Sequence, residues 1–162
     1  MSSTLSINQL KAIYTRSILS WDQLGGGAEV IKAVCRDDSS GTRDVWHQKV
    51  VGTDSVPQNQ PVLHTNSEVL AYVAKEPAAI GYVGFDYINK EIKPLSVDGI
   101  EPSLENAKEK KYPIHRNLYL YVDEKKYTSE LKSFIIYAMS SEGQKIVEEN
   151  GFIPLYPFST EQ

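Results

Sequence analysis

Two of the chain's four arginines, Arg36 and Arg43, flank one short polar run, Arg36-Asp37-Asp38-Ser39-Ser40-Gly41-Thr42-Arg43. Residues of these types, so spaced, suit the capture of an anion. Serine is a preferred N-cap, so a helix starting after Ser40 leaves the amides of Gly41, Thr42 and Arg43 without intrahelical acceptors. Those donors gather at the positive end of the helix dipole. Gly41 lets an oxygen approach the backbone with no side chain in the way. The hydroxyls of Ser40 and Thr42 add donors, and the Arg36 guanidinium can fork onto two oxygens. A tetrahedral oxyanion fits this arrangement. An ordinary helix cap between two solvated arginines fits it equally, and spacing alone leaves the two readings level.

Other chemistries find less support. A phosphate loop of the G-x-x-x-x-G-K-[ST] type is absent, and Gly25-Gly26-Gly27 precedes a strand where a dinucleotide fingerprint would follow one. No histidine or lysine is placed by sequence to act as a base for Ser39 or Ser40, so no catalytic residue is expected and the chain does not read as an enzyme. Cys35 is the sole cysteine, and His47, His64 and His115 stand far apart, so no metal or other cofactor is expected. His47 reads as a solvated helix residue, and Trp21, Trp46 and Cys35 read as core.

The 162 residues, 41% hydrophobic and 23% charged, suffice for one globular α/β domain with its own core. A net charge of −4 argues against nucleic acid as a partner, and it means that attraction of an anion must be local. No apolar run approaches the roughly 18 residues that cross a bilayer. The opening MSSTLSINQL lacks the basic and apolar regions of a signal peptide.

The elements that must hold the polar turn can be read from pattern. Ser6 and Gln9 form a capping box before a helix bearing Leu10, Ile13 and Tyr14 on one face, ending before Trp21. Val30 to Cys35 is a buried strand leading into the turn, and the helix after it runs through Trp46 to about Val51. Thr65 and Glu68 form a second capping box, with Pro77 as the stop. Ala79 to Val83 and Ile92 to Val97 read as strands, Lys108 to Lys111 as a solvated helix end, and Asn117 to Val122 as a central strand. Leu131, Phe134, Ile135, Ala138 and Met139 make a helical stripe. Ser141 and Gln144 make a third capping box, and Asn150-Gly151 ends that helix. Strands alternating with helices predict a mostly parallel sheet flanked by helices.

Several segments, in order, resemble the phosphate-binding proteins of ABC transporters, which have the type II periplasmic-binding-protein fold. They are Arg36-x-Asp38-x-Ser40-Gly41-Thr42-Arg43; Leu10-Lys11-Ala12-Ile13-Tyr14 with Trp21-Asp22; Ala79-Ile80-Gly81-Tyr82-Val83; and Tyr112-Pro113-Ile114-His115-Arg116-Asn117-Leu118-Tyr119-Leu120. Phe134-Ile135, Ser141-Glu142-Gly143-Gln144 and Gly151-Phe152-Ile153-Pro154-Leu155 complete the match, from about Leu5 to Leu155. The resemblance implies that Ser40, Gly41 and Thr42 bind phosphate oxygens and that Arg36 supplies charge, held in place by Asp38. Arg43 is a second-rank candidate. The family carries glycine where Ser39 stands, and serine there adds one donor.

The resemblance covers the family's second lobe (about residues 5–115) and the returning hinge and C-terminal helices (about 116–162), with the first lobe lacking. His115 and Arg116 fall at the implied hinge. It implies phosphate transport as a solute-binding component, an ABC permease as partner and an extracytoplasmic location, in the periplasm or at the cell surface. With half the ligand cage absent, the C-terminal stripe is expected to be exposed and to be covered by a twin chain, as a homodimer, or by a separate first-lobe chain. The alternative reading is a lobe used for sensing, structural or interaction purposes without transport.

Overall fold

Ile31, Ala33, Val34 and Cys35 are all buried, which requires apolar surroundings on both faces and backbone partners on both edges. The computed structural model, which describes residues 4–156, supplies both. Strand β2 (Lys32–Ala33) pairs in parallel with β5 (Ala79–Ile80), and β3 (Cys35–Arg36) pairs in parallel with β4 (Val62–Leu63). The amides of Lys32 and Val34 reach the carbonyls of Ala78 and Ile80, while those of Cys35 and Asp37 reach Pro61 and Leu63. One extended segment therefore serves two neighbours, one on each side. A third parallel ladder joins β1 (Thr4–Leu5) to β6 (Ser96–Val97). The mostly parallel α/β architecture expected from the sequence is the one observed.

The first two capping boxes form as read. Ser6 and Gln9 exchange both hydrogen bonds at the start of α1 (Ile7–Tyr14), and Thr65 and Glu68 do so at α3 (Asn66–Lys75). Between them, α2 (Gly41–Trp46) continues through one π turn (His47–Val51). These helices lay their apolar faces on the strands. Tyr14, fully buried, donates its hydroxyl toward the carbonyls of Val34 and Ile80. Trp46 stacks on Tyr82 with ring centroids 4.6 Å apart at 11°, and Tyr14 lies 4.8 Å from Trp46. Each such side chain contributes about 1.5–3 kcal/mol by leaving water. Both tryptophans are core residues, and Trp21 donates its indole N–H to the Ala78 carbonyl at 3.0 Å. Cys35 is buried with its thiol on Gln60, and burial pushes that thiol up to about 11.

The chain forms two compact units, divided after Arg116. The first holds the three ladders, α1 to α3 and α4 (Leu104–Lys108). The second holds α5 (Ser129–Ala138) and α6 (Ser141–Glu149). Here two expectations fail. Residues 117–122 are not a strand, and Leu118, Tyr119, Leu120 and Tyr121 are exposed. A strand needs partners for its amides, and every ladder among the described residues lies between Thr4 and Val97. The third capping box is also displaced. Ser140, one residue earlier, is the N-cap and accepts from the Gly143 amide. Gln144 is instead buried, donating to the Ala138 carbonyl and accepting from the Leu155 amide. The α6 helix does stop at Asn150, with Gly151 at φ 80°, the left-handed region that glycine enters without penalty. Of the α5 stripe, Phe134 and Met139 are exposed, while Leu131, Ile135 and Ala138 are half-buried.

Candidate functional site

The polar turn sits between β3 and α2, as its sequence requires, and its shape comes from one carboxylate. Asp37 Oδ1 accepts from both the amide and the hydroxyl of Ser39, and the Asp37 carbonyl accepts from the Ser40 amide at 3.2 Å. This is an Asx turn, an arrangement that an aspartate two residues before a serine favours. The Ser39 hydroxyl is foremost in holding the Asp37 carboxyl below the usual carboxylate range, with smaller help from the Ser39 amide and from His64. His64 Nδ1 lies 3.3 Å from Asp37 Oδ2. Ser39 is not among the described residues with positive φ, so its backbone conformation does not call for glycine. Its extra hydroxyl is spent on Asp37 and does not extend the donor set.

Ser40 is the helix cap. Its Oγ accepts from the Arg43 amide at 3.2 Å and its carbonyl from the Asp44 amide at 3.1 Å. Ser40 is buried, and its hydroxyl proton remains to be donated. Among the described residues, the amides of Gly41 and Thr42 have no hydrogen-bond partner. The donors expected from the sequence at these two positions are therefore open, while the Arg43 amide is taken by the cap.

The arginines are arranged differently from the sequence expectation. Asp38 does not hold Arg36. Its carboxylate pairs with Arg43 at 2.6 Å, and its side chain is 93% exposed. The Arg36 guanidinium runs the other way, donating from Nη1 to Asn66 Oδ1 and from Nη2 to the His64 carbonyl, each at 2.7 Å. The reason is topological. Arg36 pairs in register with Leu63, so its side chain meets the β4–α3 junction, whereas Asp38 lies beyond the strand on the side of α2. Arg36 Nε is buried and has no partner among the described residues. The Arg36 amide donates to the Tyr82 hydroxyl at 3.0 Å, and burial pushes that phenol up to about 12.

Asn66, the His64 carbonyl, Asp37 and Tyr82 are thus the residues that sequence reasoning missed. The Asp37-x-Ser39 spacing was a legible sign of the Asx turn. The other three come from segments remote in sequence and leave no local signature. Arg116 also belongs here, for its Nη1 donates to the Gly41 carbonyl at 2.8 Å. His47 is half-buried on the π turn, its amide donating to the Arg43 and Asp44 carbonyls as the end of α2. Among the described residues, no group of three or more histidines, cysteines or carboxylates could hold a metal ion, and no helix is long and apolar enough to cross a membrane.

The chain belongs to the PBP superfamily. A model of the PBP superfamily domain matches residues 2–142. The chain is 31% identical to the phosphate-binding protein PstS 2 of Streptococcus agalactiae over 96% of its length, and 34% identical to the phosphate-binding protein PstS of Bacillus subtilis over 93%. It covers 56% and 50% of those proteins, so it spans about half the length of the curated relatives it matches. Among solved structures it is similar to a phosphate-bound protein of Clostridium perfringens assigned to the substrate-binding proteins of phosphate ABC transporters. The TM-score there is 0.86 at 33% identity, covering 96% of this chain and 64% of that one. The fold is accordingly that of the type II periplasmic binding proteins.

Proposed function

We propose that this chain binds inorganic phosphate at the turn between β3 and α2 and serves in the solute-binding component of an ABC phosphate importer. The observation that carries the reading is a set of donors, in the turn and at the strand residue leading into it, that have no acceptor among the described residues. They are the Gly41 and Thr42 amides, without partners among the described residues, and the buried Nε of Arg36. Buried donors normally find acceptors, and an oxyanion supplies several at once. The names and the bound phosphate of the relatives point to the same ligand.

In this reading the oxyanion sits at the start of α2. The Ser40 and Thr42 hydroxyls and the Gly41 and Thr42 amides donate to its oxygens, and Arg36 contributes the positive charge. Arg36 is braced by Asn66 and the His64 carbonyl, so little side-chain freedom is lost when the anion arrives. Arg43 is a neighbour of the site and not a ligand, because its guanidinium is paired with Asp38. The phosphate comes from outside the cytoplasm and passes to a membrane permease. No step breaks or makes a covalent bond.

Equilibrium dialysis with radiolabelled phosphate examines the reading directly. Retention of phosphate that excess sulfate does not displace is the expected outcome. Retention abolished by equal sulfate, or no retention at all, removes phosphate as the ligand of this chain.

A further inference from the structure

At Gly41 the backbone and a distant cation come close together. The glycine's φ is not in the left-handed region, and a Cβ built there would lie 2.8 Å from Arg116 Nη1, 3.4 Å from Nη2 and 3.5 Å from Cζ. The atoms a Cβ would meet are those of the exposed Arg116 guanidinium, which lies against the first residue of α2. Its approach is anchored from behind. Tyr112 and Ile114 pack against the core, the Tyr112 hydroxyl donates to the Leu95 carbonyl at 3.2 Å, and His115 Nδ1 lies 2.6 Å from the Tyr112 carbonyl. Arg116 is thereby delivered to Gly41 across a sequence separation of 75 residues.

We propose that Arg116 is a positioning residue of the phosphate site, acting through the Gly41–Thr42 peptide. The inference rests on the phosphate reading given above. A peptide unit is planar and trans, so its C=O and N–H point in opposite directions. By holding the Gly41 carbonyl at 2.8 Å, the guanidinium fixes the direction of the Thr42 N–H, one of the two open amides. A cationic donor on the carbonyl also polarises that unit and makes its N–H a stronger donor. The charge remains close to the turn, in a chain whose overall charge is −4 and repels an anion. With no side chain at Gly41, the guanidinium reaches that carbonyl without having to shift.

Phosphate affinity is measured for the wild-type chain, Arg116→Ala and Arg116→Lys, with amide hydrogen exchange of Thr42 followed on the same samples. The expected result is about a tenfold loss for Arg116→Ala, the scale of one charge-assisted hydrogen bond, with partial recovery in Arg116→Lys. With phosphate bound, Thr42 exchange should be quicker in Arg116→Ala than in the wild type, while the amides of Val34 and Cys35 stay protected. Wild-type affinity in Arg116→Ala, or unaltered Thr42 exchange with the core intact, overturns the positioning role and leaves the phosphate reading standing. A wild-type chain that binds no phosphate overturns the phosphate reading itself and the role of Arg116 within it. Global loss of protection in Arg116→Ala that Arg116→Lys restores without restoring affinity marks Arg116 as purely structural and also overturns the proposal.

Discussion

The two compact units contrast in how they spend their apolar residues. Every buried hydrophobic residue among the described ones, from Leu5 to Val97, lies in the first unit, where Tyr14, Trp46 and Tyr82 form the aromatic centre. Among the described residues of the second unit the buried ones are Gly143, Gln144 and Pro154, while Leu118, Leu120, Phe134, Ile136 and Ile146 stand exposed. Similar residue types thus have opposite fates. The first unit has partners for its strands and two-sided cover for its apolar faces. The second has helices well capped by Thr128 and Ser140 but no core to dock on within itself. Local capping makes a helix and tertiary burial makes it stable, and the second unit has chiefly the former.

Substitutions can break this contrast, beginning with the largest effect. Trp46→Ala should destabilise the first unit by about 3–5 kcal/mol, the usual cost of emptying an aromatic core site. Phe134→Ala, at an exposed position, should stay within about 1 kcal/mol. Urea denaturation of the two variants measures both, and comparable losses would show that Phe134 is buried in solution.

Next comes the site. Arg36→Ala should weaken phosphate binding by about 1.5–3 kcal/mol, roughly ten- to a hundredfold, as expected for a charged donor. Arg43→Ala should change it far less, because that guanidinium is already paired with an exposed carboxylate. Equal losses in a titration of both variants would refute the ranking. Tyr82→Phe should cost about 1–2 kcal/mol of stability by removing the acceptor of the Arg36 amide. A melting temperature equal to the wild type would show that amide to be satisfied elsewhere.

The smallest expected effect is in proton affinity. Asp37 titrates below its unfolded value, so its contribution is full above the ordinary aspartate range, near pH 4. It is lost as pH falls through the lowered folded value. Ser39→Ala removes the foremost cause and should raise the Asp37 midpoint toward the ordinary range. Carboxyl carbon NMR across the acid range reads this directly, and an unmoved midpoint would place the cause elsewhere.

Much of the first unit was legible because its signals are local. The Ser6–Gln9 and Thr65–Glu68 boxes, the apolar run ending at Cys35 and the Ser40 cap each follow from a few adjacent residues. The braces of Arg36 were not legible, since Asn66 and His64 reach it only through the β3–β4 ladder. Proximity in sequence favoured Asp38, and the strand register sent the two side chains to different partners. Residues 117–122 mislead for a related reason. Their Leu-Tyr alternation is strand-like, but a strand is a relation between segments, and pattern cannot supply the neighbour. The Gly41–Arg116 contact, between residues 75 apart, lay equally beyond spacing arguments.

The central claim is that the turn between β3 and α2 holds phosphate. Isothermal titration of the chain with phosphate, with sulfate as the control anion and Arg36→Ala as the control variant, addresses it most directly. Saturable heat with phosphate that is weak or absent with sulfate, and lost in Arg36→Ala, is the predicted result. Equal binding of both anions, or phosphate binding unchanged in Arg36→Ala, would contradict it.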